Sequence, residues 1–115
     1  RDVSAQPATR IQFRPEGPRF NGRVYVLTSR QTASAAEMTA DALAGSGVAT
    51  LVGEPTAGQM LSQMPFDLPG GLQLFAPIAN YVSWHSGVIE GRGVTPRIPV
   101  AAADALSAAL AELNR

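Results

Sequence analysis

The chain has 115 residues, of which 45% are hydrophobic and 16% charged, a composition typical of one globular domain or part of one. Nine basic residues, all arginine, balance nine acidic ones, so the basic excess of a nucleic-acid-binding module is missing and no lysine can act as a base. The absence of cysteine excludes thiol catalysis. With His85 as the single histidine, we expect neither a metal site nor a cofactor.

Residues 1–19 contain three prolines and no sustained periodicity, which predicts an extended arm, a linker or an artificial extension. The chain begins with arginine, so we expect it to be a processed or truncated piece of a longer protein. Within residues 20–115, a β-branched run at 24–28 predicts a strand buried on both faces. Good helix formers at 35–44 and a second buried strand at 49–52 follow, an order that implies a parallel pair joined by a crossover helix.

Two further strands are predicted at 60–68 and 72–79, joined by a Pro-Gly-Gly turn at 69–71. Residues 80–99 are rich in glycine and proline and predict irregular structure. The last element is predicted as an amphipathic helix over 101–113.

The buried face of each helix is predicted from the spacing of its larger apolar residues. In the first helix these are Met38, Ala42 and Leu43. In the last helix they are three leucines at i, i+4 and i+7, namely Leu106, Leu110 and Leu113.

Ser34 stands where the first strand has ended and the first helix begins. Free backbone N–H groups and the positive end of the helix dipole meet at this position and favour an oxyanion, so the residue is a candidate nucleophile, with the Ala35 amide as an oxyanion donor. Ser34 and Glu37 also have the spacing of a capping box, in which the serine would only terminate the helix. The residues alone leave both interpretations open.

Four segments in register resemble the S41 family of serine peptidases, the C-terminal processing proteases and their tricorn-core relatives. They are Phe20–Thr28, Thr32–Glu37, Leu51–Gly58 and Ile89–Pro96, and together they cover most of residues 20–100. The resemblance implies a crotonase/Clp-protease-like α/β fold, a parallel-rich sheet with packed helices, of which this chain would be the C-terminal part. It also implies that Ser34 is the nucleophile and that Ala35 donates to the oxyanion.

In one branch of the family the base is a lysine, and the matching position here is Gln59, whose amide is not basic. The chain therefore looks more like the tricorn-like branch, in which an upstream histidine is the base and a glutamate, matched by Glu90, completes the relay. That histidine and the second oxyanion donor would lie outside the chain. Arg97 stands where the family has aspartate, which reverses a local charge.

Further residues are candidates for contacts with substrate. Thr56 and Gly58 lie in a loop that approaches the active site in the family, and Tyr81 and Trp84 are aromatics that could line a pocket or anchor a loop. A self-contained triad of Ser34, His85 and Glu90 is a weaker alternative, as a histidine at a pocket rim or in contact with substrate explains His85 as well.

We therefore expect a fragment of a serine endopeptidase that acts through an acyl-enzyme, needs no cofactor and is inactive without the remainder of its parent protein. Its substrate would be a peptide or the C-terminal tail of a protein. The resemblance also allows a homo-oligomer and suggests the bacterial periplasm or cell envelope. The alternative is a non-catalytic ligand- or peptide-binding module of the same fold, as in the retinoid-carrying repeats of the interphotoreceptor protein.

Overall fold

The computed structural model describes residue 14 and residues 16–115. These residues form seven strands: β1 (Val24–Thr28), β2 (Ala49–Gly53), β3 (Leu61–Leu68), β4 (Leu72–Asn80), β5 (Val82–Ser83), β6 (Gly87–Val88) and β7 (Ile98–Pro99). The helices are α1 (Ala35–Gly45) and α2 (Ala105–Leu113), and a short 3-10 turn at Ala102–Asp104 precedes α2. Of the arm predicted at 1–19, residues 1–13 and 15 lie outside the described residues, and the others form no helix or strand.

A parallel sheet with the order β1-β2-β7 forms the centre of the fold. β1 and β2 pair in parallel from Val24–Ala49 to Thr28–Gly53, and α1 connects them. The predicted strand–helix–strand unit and the α/β class of a partial domain are therefore confirmed. The unit forms because two β-branched runs, too apolar to face water, flank a segment of good helix formers.

The central strand β2 is covered on both faces. Successive strand residues point to opposite sides, so Leu51 packs towards α1 with Ala40 and Met60, while Val52 packs towards α2 with Ala105 and Ala109. The first cluster is completed by Ile89 and Val94, which come from the loop before β7. This packing fixes the start of α1, and with it Ser34, against the loop that follows β2.

β1 is only partly buried, contrary to the prediction that both faces would be covered. Tyr25 packs against the α2 cluster and Val26 against the α1 cluster, but Leu27 is 44% exposed. Leu27 lies on the same face as Tyr25, and α2 covers that face only near Tyr25.

The predicted buried faces of both helices are wrong. α1 buries Glu37, Ala40 and Asp41 rather than Met38 and Ala42, because both carboxylates find hydrogen-bond donors inside the fold. α2 buries the alanines at 105 and 109, whose small side chains let the helix lie close to Val52. The leucine stripe of α2 faces outward: Leu106, Leu110 and Leu113 are all exposed.

The predicted pair of strands at 60–68 and 72–79 forms an antiparallel hairpin, β3–β4, and the turn between them is confirmed. Every residue of β3 is exposed. Opposite residues share a face, so from residue 64 to residue 76 one face of the hairpin is apolar, consisting of Met64, Phe66, Leu68, Leu72, Leu74 and Ala76. The region predicted as irregular contains the short pair β5–β6 and the strand β7.

Among the described residues, neither helix has the length and apolar character that crossing a membrane requires.

Candidate active site

Ser34 occupies a strained backbone conformation at the N-terminus of α1. Its φ of 55° and ψ of −123° make it the one non-glycine residue with positive φ in the described part of the chain. Such a conformation costs on the order of 1–3 kcal/mol and persists where surrounding contacts impose it. A sharp strand-to-helix turn of this kind is how several hydrolases present a nucleophilic serine.

The amides around Ser34 are unequally engaged. The Ser34 N–H donates to Glu37 Oε2 at 3.0 Å and to the Gln59 carbonyl oxygen at 3.1 Å. The Ala35 N–H has no acceptor within the described residues. It is therefore the amide at this helix start that an incoming oxyanion can reach.

The capping-box interpretation also has support. One half of the box is formed, because the Ser34 N–H donates to the Glu37 carboxylate, whereas the Ser34 hydroxyl makes no cap hydrogen bond and the Glu37 N–H donates to the Ser34 carbonyl oxygen at 2.8 Å. The Ser34 hydroxyl is therefore not hydrogen-bonded to the helix terminus, and Ser34 is an exposed residue. Capping by the glutamate and presentation of the serine are compatible here.

An open cavity of about 280 Å³ lies in front of Ser34. It is lined by Ser34, Gln59, Leu61, Gln63 and Glu90. The structure therefore brings the two predicted catalytic residues, Ser34 and Glu90, to the same cavity, together with Gln59. A larger cavity of about 620 Å³ lies beside α2 and contains none of the predicted site residues.

Glu90 is held by one of its two carboxylate oxygens. Its Oε2 accepts the N–H groups of Met60 at 2.5 Å and Leu61 at 3.1 Å. Within the described residues Oε1 has no hydrogen-bond partner, so this oxygen is available to a group that enters the cavity.

Glu37 is a fully buried carboxylate with four donors. Oε1 accepts the Thr56 hydroxyl at 2.5 Å and the Gly58 N–H at 2.7 Å, and Oε2 accepts the Gln59 N–H at 2.8 Å besides that of Ser34. Burial alone would raise the pKa of Glu37. The hydrogen bonds from the Thr56 hydroxyl and from the Gln59, Gly58 and Ser34 amides outweigh burial and hold the pKa below its usual value.

Thr56 and Gly58 were predicted to contact substrate, and the structure places them behind Ser34 instead. The Thr56 side chain is buried, with its hydroxyl donating to Glu37 and accepting the Val94 N–H at 2.6 Å. Gly58 has a φ of 71°, and a Cβ there would lie 2.8 Å from the Arg92 and Gly93 nitrogens. Both residues are enclosed by the fold and do not line the cavity at Ser34.

The structure does not bring Tyr81, Trp84 or His85 to Ser34. Tyr81 packs against the α1 core cluster, and Trp84 is 96% exposed in the β5–β6 turn. His85 lies against Gly45, the last residue of α1, which is about 16 Å of helix away from Ser34. A triad of Ser34, His85 and Glu90 is therefore excluded by geometry.

The β5–β6 turn is fixed instead by Asp41, the second buried carboxylate of α1. Its two oxygens accept the hydroxyls of Ser83 and Ser86. Sequence reasoning did not anticipate this contact or the central place of Glu37, whose spacing from Ser34 signalled only a helix cap.

Within the described residues, no group of three or more His, Cys, Asp or Glu side chains could hold a metal ion.

Comparison with known proteins decides the family. The sequence model of peptidase family S41 matches residues 2–100. The chain belongs to peptidase family S41. It is 38% identical over 79 residues to a carboxyl-terminal-processing protease of Picosynechococcus sp., a match covering 69% of this chain and 19% of that protein.

Solved structures agree with this assignment. The photosystem II D1 C-terminal processing protease superposes with a TM-score of 0.63 at 35% identity, over 71% of this chain and 21% of that one. The tricorn protease superposes with a TM-score of 0.67 over 82% of this chain and 11% of that one, and at 23% identity this shows a shared fold. The matches span between 15% and 21% of the length of the curated relatives.

Proposed function

We propose that this S41 chain carries the nucleophile of a serine endopeptidase, with Ser34 attacking a peptide carbonyl. One observation carries the proposal: the serine has a strained backbone at a helix N-terminus, next to an unengaged amide and an open cavity. These are the elements that nucleophilic attack and oxyanion stabilisation require. The remainder of residues 20–115 supports this site as part of one catalytic domain.

In the proposed reaction the Ser34 oxygen bonds to the carbonyl carbon, and its proton passes to a histidine base supplied from outside this chain. The carbonyl oxygen becomes an oxyanion that the Ala35 N–H stabilises. The C–N bond then breaks, the amine takes the proton, and water hydrolyses the acyl-enzyme. Glu90 would orient the base through Oε1, because its Oε2 is already held by two amides.

The identity of residue 59 favours a base that comes from outside this chain. Its side chain lines the cavity beside Ser34, but a carboxamide cannot take up a proton at any relevant pH. The substrate class proposed is a peptide or the C-terminal tail of a protein, by analogy with relatives described as carboxyl-terminal-processing proteases.

A fluorophosphonate probe tests the proposal on the full-length protein that contains this chain. Ser34 is expected to form a bond to phosphorus with loss of fluoride, and Ser34→Asn should abolish labelling, because asparagine suits an N-cap position with positive φ but has no hydroxyl. Ser46→Asn, at the other end of α1, is the matched control and should label as the wild type does. If the folded wild-type protein is not labelled, Ser34 is a helix cap and the binding-module alternative holds.

A further inference from the structure

Two carboxylates hold four consecutive backbone amides beside Ser34. Gly58 and Gln59 donate to Glu37, at 2.7 and 2.8 Å, and the next two residues, Met60 and Leu61, donate to Glu90. The segment 58–61 therefore runs between the two side chains without relying on a neighbouring strand for these hydrogen bonds. It is this segment that places the Gln59 side chain in the cavity.

Glu37 also joins this segment to the nucleophile. Its Oε2 accepts both the Gln59 and the Ser34 N–H groups, and the Ser34 N–H also reaches the Gln59 carbonyl oxygen. One carboxylate thus fixes the backbone of Ser34 against that of Gln59. The strained φ of Ser34 is found at the residue whose amide is fixed in this way.

The loop that carries Glu90 is tied to the same network. The Thr56 hydroxyl donates to Glu37 and accepts the Val94 N–H, and the Gly91 N–H donates to the Gly58 carbonyl oxygen at 2.8 Å. The backbone positions of Ser34, segment 58–61 and the Glu90 loop are therefore linked through a single buried anion.

We propose that Glu37 is a positioning residue, which holds the Ser34 nucleophile at a fixed distance from segment 58–61 and from Glu90 through its four hydrogen bonds. This inference rests on the proposed function of Ser34. A shift of about 1 Å in a reacting group can lower a rate by about 100-fold, so loosening this network should slow attack by Ser34 without changing what enters the cavity.

Thr56 distinguishes positioning from mere capping of the helix. Replacing Thr56 by valine leaves every contact between Ser34 and Glu37 in place, takes away one donor to Oε1 and removes the acceptor of the Val94 N–H. If Glu37 only caps α1, Thr56→Val has no effect on the reactivity of Ser34. If Glu37 positions Ser34 relative to the loops, the same change slows the serine.

The experiment measures fluorophosphonate labelling of the full-length protein as a function of probe concentration, which separates the maximal rate from the half-saturating concentration. Thr56→Val is expected to lower the maximal rate about 10-fold, and Glu37→Gln up to about 100-fold, with the half-saturating concentration within about 2-fold. Thr56→Ser keeps the hydroxyl and should recover most of the rate lost in Thr56→Val.

Thr50→Val is the matched control. It makes the same chemical change in β2, at a side chain that has no hydrogen bond among the described residues and does not line the cavity at Ser34. It should label at the wild-type rate. Circular dichroism and the thermal midpoint establish that each variant is folded at the assay temperature, and Thr56→Val against Thr56→Ser decides the question if Glu37→Gln does not fold.

Two results would overturn the inference that Glu37 positions Ser34. In both, the wild-type protein is still labelled, so the proposed function of Ser34 stands. The first is a wild-type maximal rate in folded Thr56→Val and Glu37→Gln. The second is a smaller labelled fraction at an unchanged rate, which is the result for a residue that only stabilises the fold. If the proposed function itself is wrong, the wild-type protein is not labelled at all.

Discussion

The surroundings of Ser34 and the β3–β4 hairpin are neighbours along the chain but are held in different ways. Around Ser34, the buried Glu37 and the half-buried Glu90 accept amides from distant segments, and the side chains of Leu51 and Ile89 are almost fully enclosed. Beyond Leu61, whose N–H donates to Glu90, the hairpin is ordered by cross-strand pairing, and its apolar face is open. The difference teaches that geometry at the site depends on tertiary contacts, whereas the hairpin depends on its own register.

The largest contrast is expected from truncating one leucine in each region. Leu51→Ala should lower the free energy of unfolding by about 2–5 kcal/mol, because a 2%-exposed side chain leaves a cavity between β2 and α1. Leu74→Ala, at a side chain that is 51% exposed, should cost less than about 1 kcal/mol. Urea unfolding measures both values. Equal losses would mean that the apolar face of the hairpin is covered in solution.

A second contrast compares two glycines with positive φ. Gly58→Ala should cost roughly 2–4 kcal/mol, since the new Cβ would lie 2.8 Å from backbone nitrogens of the 91–93 loop and the left-handed conformation is itself unfavourable. Gly70→Ala, in the hairpin turn, meets no atom within 4 Å and should cost only about 1–2 kcal/mol from its conformation. Thermal unfolding of the two variants, which should differ in midpoint, checks this order.

The charge of Glu37 makes the site region sensitive to acid. Its pKa is lower in the folded protein than the ordinary value of 4.5, so its contribution to stability is present above pH 4.5 and is lost as pH falls through the folded pKa. At neutral pH, Glu37→Gln should cost about 3 kcal/mol, because the amide cannot accept from all four donors. The difference from wild type should shrink in acid. A difference independent of pH, in urea unfolding at several pH values, would contradict this account.

The smallest expected effect is a difference in the free energy of local opening between the hairpin and the parallel sheet. Amide hydrogens of β3 and β4 should exchange at a lower opening free energy than those of β1 and β2, since a hairpin without a covered face is only marginally stable. Hydrogen exchange read by mass spectrometry resolves the two regions. Equal protection in both would show that the hairpin unfolds together with the parallel sheet.

Much of the fold was predictable because it follows local rules. The runs at 24–28 and 49–52 are β-branched and apolar, the segment between them favours helix, and Gly70 and Gly71 supply the hairpin turn. The helix faces were not predictable from apolar spacing. What α2 buries is decided by the space beside Val52, which suits alanine and leaves Leu106 and Leu110 outside.

The candidate site also has residues that the sequence could predict and contacts that it could not. Ser34 could be singled out from its place between a strand and a helix, and Glu90 from the resemblance to the family. Three of the four donors to Glu37 come from residues about 20 positions further along the chain, so no local pattern reveals them. His85 and Trp84 are near Glu90 in sequence, but the β5–β6 turn places His85 at the far end of α1.

The amides of residues 58–61 are held by the side chains of other residues, so the route of the main chain through position 59 does not depend on which side chain stands there. A substitution at 59 can therefore change what faces Ser34 without disturbing the frame that supports it. In evolutionary terms, such a scaffold permits the side chain that faces Ser34 to be exchanged by a single codon change, while the serine and its support are inherited intact.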